Sequence, residues 1–127
     1  MSTENILVVD DERIIGTAFE TALGDKGYNV DSVLNAEEAL IAVTKKKYDL
    51  VFIDKTMPGM DGIEACREIK KLSPESIAVF MTGCFDKHNI IKEQQFVDAG
   101  GRTYYLYKPF ARGELLEVVI KALSEKK

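Results

Sequence analysis

The chain has 127 residues, 46% of them apolar and 30% charged, and a formal net charge of −4. That length builds one domain with a real core and leaves no room for a second. Lys and Arg are dispersed rather than gathered into a stripe, which speaks against a direct nucleic-acid partner, and no apolar run is long enough to cross a bilayer.

The polar start Met-Ser-Thr-Glu-Asn has no signal-peptide design, and Cys66 and Cys84 lack paired spacing, which fits reduced thiols in a cytoplasm. His88 is the single histidine, which argues against a His-based metal cage or an internal His relay. Taken in order, Ile6-Leu7-Val8-Val9 predicts a first strand running into Asp10-Asp11-Glu12. Over 13–26 the apolar residues Ile14, Ile15, Ala18, Phe19, Ala22 and Leu23 recur at helical spacing, and Gly27 supplies a stop. Residues 28–33 predict a second strand with partial alternation. Asn35-Ala-Glu-Glu38 resembles a capping box, opening a helix that turns Ala39, Leu40 and Val43 inward. Lys45, Lys46 and Lys47 close it, where cations suit the negative end of the dipole.

Leu50-Val-Phe-Ile53 is an unbroken β-preferring run, the mark of a strand buried on both faces, and it delivers Asp54 to the turn cluster Met57-Pro58-Gly59. Residues 62–72 carry Ile63, Cys66 and Ile69 on one helix face, ended by Ser73-Pro74. Ile77-Ala-Val-Phe-Met81 predicts a fourth strand that closes at Thr82-Gly83. A weaker helix over 88–99 follows, its stripe diluted to Ile90, Ile91, Phe96 and Val97, and Gly100-Gly101 breaks it. Thr103-Tyr-Tyr-Leu-Tyr107 predicts a fifth strand, ending at Lys108-Pro109-Phe110. The last helix, over 112–126, turns Leu115, Val118, Val119, Ala122 and Leu123 inward.

Five strands alternating with five helices, without repeat or linker, predict a single α/β domain over 1–127. Right-handed crossovers then give a parallel sheet covered on both faces, doubly wound in the flavodoxin-like order 2-1-3-4-5. That order sets the ends of strands 1 and 3 together at the switch point, where such sheets bind ligands, and brings Asp10, Asp11 and Asp54 to one spot.

Singly, these residues have plainer readings: Asp10 or Asp11 as a helix cap, Thr82 as a strand-end hydroxyl, Lys108 as a solvated lysine. Jointly, an acidic pair after strand 1, Asp after strand 3, Thr after strand 4 and Lys after strand 5 converge on one edge. Clustered carboxylates repel, and a hard divalent cation relieves this; Mg²⁺ typically takes one or two carboxylates, phosphate oxygens and waters. With an ammonium and a hydroxyl added, the set suits phosphoryl transfer, where catalysis is mostly positioning and charge neutralisation. Asp54 is then the nucleophile and an aspartyl phosphate the product.

Along essentially its whole length the chain resembles the receiver domain of two-component response regulators. The matching residues are Val8-Val-Asp-Asp-Glu12, Asp54-x-x-Met57-Pro58-x-Met60-Asp61-Gly62, Thr82-Gly83, Tyr105 and Lys108-Pro109-Phe110. The resemblance implies that Asp54 accepts a phosphoryl group from a phosphohistidine on a sensor histidine kinase or a histidine phosphotransfer protein. It implies Asp11 and Asp54 as direct Mg²⁺ ligands, the backbone carbonyl of Thr56 as a third, and Asp10 as holder of a metal-bound water. Lys108 would pair with the phosphoryl group, before a cis bond to Pro109. Thr82 and Tyr105 would form a switch biasing the face made of the fourth predicted helix, the fifth strand and the fifth helix, although packing is the plainer account of Tyr105 in a Tyr-rich strand. Ile15 resembles an apolar kinase-docking position, with core packing as the alternative. The implied protein is a cytoplasmic regulator with an unknown downstream target, and no enzyme beyond its own self-phosphorylation and self-dephosphorylation.

Three departures bear on this. Lys55, next to the acceptor, stands where relatives commonly carry an apolar or aromatic residue; Thr56 and Cys84 flank the site where the family varies; and the interval from Thr82 to Lys108 is longer than usual. A Mg²⁺-dependent phosphatase of the haloacid dehalogenase type also uses a strand-end Asp, but it needs a second Asp where this chain has Thr56. A binding module that has lost phosphorylation is the third reading, and Asp11, Asp54, Thr82 and Lys108 argue against it. No output domain follows Lys127, which leaves a stand-alone regulator and a receiver cut from a longer chain both open.

Overall fold

A computed structural model of the chain describes residues 4–54, 62–83, 101–108 and 111–124, with the backbone alone at 82–83 and 101–108. The elements run β1 (Asn5–Val9), α1 (Arg13–Gly24), β2 (Asn29–Val33), α2 (Ala36–Lys45), β3 (Leu50–Asp54), α3 (Gly62–Leu72), β4 (Ile77–Gly83), β5 (Gly101–Lys108) and α4 (Arg112–Ser124). The strands form one parallel sheet in the order β2-β1-β3-β4-β5. The parallel sheet and the order of its first four strands are as expected; β5 adds the outer edge, with an irregular register between Ala78 and Phe80. Four helices lie among the described residues, the last predicted helix being α4, and the helix predicted over 88–99 lies outside them.

Side-chain alternation splits the core in two. Leu7, Val9, Val51, Ile53 and Phe80 face α2 and α3, where Ala39, Val43, Cys66 and Ile69 meet them. Ile6, Val8, Leu50, Phe52, Val79 and Met81 face α1 and α4, against Phe19, Leu23, Leu115 and Val119. Phe19 meets Phe52 edge-to-face, with centroids 4.8 Å apart, a favoured aromatic geometry. β3 is buried at every position, as its unbroken apolar run requires. At the opposite end of the sheet from the acidic residues, the Asn5 N–H donates to Asp49 Oδ2 and the Asp49 N–H donates to the Asn5 carbonyl, each at 2.8 Å.

Local signals account for the helix ends. Asn35 Oδ1 accepts from the Glu38 N–H at 2.9 Å, while Glu38 Oε1 reaches back to the Leu34 N–H at 2.9 Å, one residue earlier than in a standard capping box. Gly27, with φ +89°, turns the chain after α1 in a conformation that a Cβ disfavours.

The apolar stripe read on α1 needs correction. Phe19, Ala22 and Leu23 are buried, but Ile14 is 72% exposed, Ala18 is exposed, and Ile15 is half-buried against the α1-side core. Gly16 explains the rotation. It is buried, and a Cβ there would stand 2.6 Å from Ser32, so the helix lays its glycine on β2 and swings positions two residues away outward.

Candidate functional site

The site gathers where the strands end. Val9 pairs with Ile53 in the β1–β3 ladder, so Asp10 and Asp54 follow from paired positions on adjacent central strands. Alternation sets Asp10 in phase with Ile6 and Val8, and Asp54 in phase with Leu50 and Phe52, which face the α1 side. Both carboxylates are buried, Asp10 at 2% exposure and Asp54 at 6%. Ionised carboxylates are costly in such places unless charges or hydrogen bonds compensate them. One such bond is plain: Asp10 Oδ1 accepts from the Glu12 N–H at 2.8 Å. It folds the acidic segment back on itself just before α1, whose N-cap is Glu12.

Asp10, Asp11 and Glu12 each offer a carboxylate oxygen, and these lie within 4.8 Å of one another, with Asp10 buried and the other two exposed. Glu12 is the member that the sequence reading left out of its ligand set, and its adjacency to the acidic pair was the signal. Asp54 is not one of this trio; it stands on the neighbouring strand. An all-oxygen, mostly anionic donor set of this kind fits a hard divalent cation such as Mg²⁺ better than a soft metal.

The backbone register carries the edge further. Asp54 pairs with Met81, Thr82 with Tyr107, and Gly83 with Lys108, so Asp54, Thr82 and Lys108 come at the C-terminal ends of three consecutive neighbours, β3, β4 and β5. Tyr105 pairs with Phe80, further down β5. Thr56, Lys55 and Cys84 lie outside the described residues, as does Pro109. Cys66, by contrast, is a buried thiol on α3, pushed up to about 11 by burial, and takes no part in the edge.

Beside this edge, α1 presents Ile14, Thr17, Ala18 and Thr21 on its outer side, all exposed. No described helix is long and apolar enough to cross a membrane.

Comparison with known proteins agrees with this architecture. The model of the response regulator receiver domain matches residues 6–120. Sporulation initiation phosphotransferase F of Bacillus subtilis is 34% identical over 126 residues, covering 99% of this chain and 98% of that protein. Response regulator MprA of Mycolicibacterium vanbaalenii is 33% identical across 87% of this chain, which spans only 46% of MprA. Transcriptional regulatory protein ResD of Bacillus subtilis, 34% identical across 93% of this chain, is matched over 47% of its own length. Among solved structures, Vibrio cholerae chemotaxis protein CheY4 superposes with a TM-score of 0.87 at 27% identity, covering 96% of this chain and 100% of its own. A CheY-like receiver domain protein from Methanospirillum hungatei gives 0.88 at 29% identity, covering 98% and 97%.

Proposed function

The chain belongs to the response regulator receiver family, and we propose that it is a phosphoacceptor switch in which Asp54 takes a phosphoryl group from a phosphohistidine. The donor is a sensor histidine kinase or a histidine phosphotransfer protein, and the setting is the cytoplasm. The observation that supports this best is the pair of buried carboxylates, Asp10 and Asp54, at adjacent strand ends beside Asp11 and Glu12. Burial restricts water at the acceptor without excluding it, and the strand ends fix its position.

In this reading an Asp54 carboxylate oxygen attacks phosphorus, the phosphorus–nitrogen bond breaks, and the donor imidazole leaves with its electron pair. Lys108 and Thr82 supply an ammonium and a hydroxyl to the charge on the transferred group. Asp11 and Asp54 would hold Mg²⁺ directly, with the Thr56 carbonyl, while Asp10 would hold one of its waters. When bound, the ion neutralises charge on the phosphoryl oxygens. Thr82 and Tyr105 then couple the acceptor to the surface around β5 and α4, which a downstream protein reads. The chemistry is limited to phosphorylation and dephosphorylation of the chain itself.

The test is phosphate incorporation from acetyl phosphate, with and without Mg²⁺, in wild type and Asp54→Asn. Incorporation should require Mg²⁺ and vanish in the variant. A chain that takes no phosphate from acetyl phosphate or from any kinase would overturn the proposal. Rapid release of inorganic phosphate with turnover would point to a phosphatase instead.

A further inference from the structure

The outer face of α2 carries a charge pattern that complements itself. Glu37, Glu38, Ile41, Thr44 and Lys45 are all exposed, while Ala36, Ala39 and Val43 are buried in the core. At about 100° per residue the five exposed positions share one arc, and Ile41, 55% exposed, lies at its middle. Glu37, Ile41 and Lys45 follow one another at i, i+4 and i+8, along a single ridge of the helix surface. Glu37 and Lys45 stand about 12 Å apart along the axis, too far to pair with each other. Neither joins an ion pair among the described residues. The ridge is therefore acidic at one end, basic at the other and apolar between.

We infer that the outer face of α2 is the surface through which this chain pairs with a second copy of itself. A two-fold axis through Ile41 sets the two helices antiparallel, Ile41 against Ile41, and brings Glu37 of each copy to Lys45 of the other. Such a pattern attracts its own copy turned end for end and repels one laid parallel, so it fixes orientation as well as partner. Interleaved ridges of this i±4 kind let two helices cross closely. Ten residues give a contact about 15 Å long, smaller than a standard interface, so the pairing is weak and depends on concentration. α2 packs on the face of the sheet opposite α1 and α4, so the pair leaves both of those helices uncovered in each copy.

Sedimentation equilibrium of the full chain at low salt, from about 10 µM to about 1 mM, reads the pairing as weight-average mass. Wild type should rise from 14.2 kDa toward twice that mass, and should rise less at about 0.5 M salt. Glu37→Lys and Lys45→Glu each make both cross-contacts repulsive, and each should weaken pairing by about tenfold. An equimolar mixture of the two variants sets a lysine against a glutamate at both contacts. It should return the affinity to within about threefold of wild type. Ile41→Asp places two carboxylates at the axis and should stay monomeric. Circular dichroism shows which variants are folded, and Ile41→Asp, at an exposed position, keeps the test decisive if a charge reversal is not. The charges at the ends of α2 also suit its dipole. A role confined to the dipole would change stability and leave the mass alone. A wild type that stays at 14.2 kDa up to about 1 mM would overturn the inference. So would association that neither the charge reversals nor Ile41→Asp weaken, or a mixture of the two folded variants that stays monomeric.

Discussion

An alanine at position 16 measures how closely α1 is laid on the sheet. Its Cβ would stand 2.6 Å from both Cβ and Oγ of Ser32. Rotating the serine hydroxyl relieves only one of these contacts, because Cβ is fixed by the backbone, so the helix must lift from β2. Overpacking of this sort costs about 1–3 kcal/mol. Alanine returns about 1 kcal/mol over glycine inside a helix, leaving a net loss of about 1 kcal/mol. Removing the Ser32 side chain reverses the sign. In a Ser32→Gly background the clash is gone, and Gly16→Ala should stabilise by up to about 1 kcal/mol. The weak Ser32 Oγ–Glu20 hydrogen bond, at 3.3 Å, is absent from both chains of that comparison. Urea unfolding of the four chains gives the coupling directly, provided m stays constant. An effect of Gly16→Ala that is the same in both backgrounds would refute the close-approach account of α1.

Two further predictions concern the frame of the sheet. The Tyr48 hydroxyl donates to Asp31 Oδ2 at 2.7 Å, and burial, then the carboxylate, hold the phenol above its usual value of 10.0. A raised value means that the stabilisation is present below pH 10.0 and is lost as pH rises further. Tyr48→Phe should therefore be less stable than wild type by about 1 kcal/mol at neutral pH, with the gap closing above pH 10 when urea midpoints are followed. Asn35→Ala removes the cap bond to Glu38 N–H and should cost about 1 kcal/mol in the same assay.

Much of the sheet could be read from sequence because each central strand carries its own signal. Leu50 to Ile53 is apolar without a break, and a strand buried on both faces needs that. Phe19, Leu23, Val43, Ile69 and Val119 were likewise placed inward by helical period alone, and all are buried. Period could not orient α1, since six apolar positions over-fill one face and the deciding residue, Gly16, has no side chain to register in a pattern. The Asp31–Tyr48–Lys46 cluster was equally invisible: the Lys46 ammonium meets Asp31 at 3.0 Å across elements that only tertiary folding brings together. At the site, strand ends 1 and 3 followed from topology, whereas the membership of Glu12 depended on how the chain turns back through the Asp10–Glu12 bond.

The clasp between Asn5 and Asp49 joins residues 44 positions apart. No hairpin can start a sheet whose central pair is closed in this way. The chain first pays the entropy of a long loop, and only then does the ladder return it. Folding dominated by such distant pairings is slow compared with that of a helical bundle. The same closure is what sets Asp10 next to Asp54, so forms in which β1 and β3 are not yet paired lack the juxtaposed carboxylates. A ligand needing both strand ends therefore binds only chains in which β1 and β3 are paired, and it raises apparent stability with the logarithm of its concentration. Occupancy of the acidic strand ends thus doubles as a gauge of how much of the population has closed that central pair.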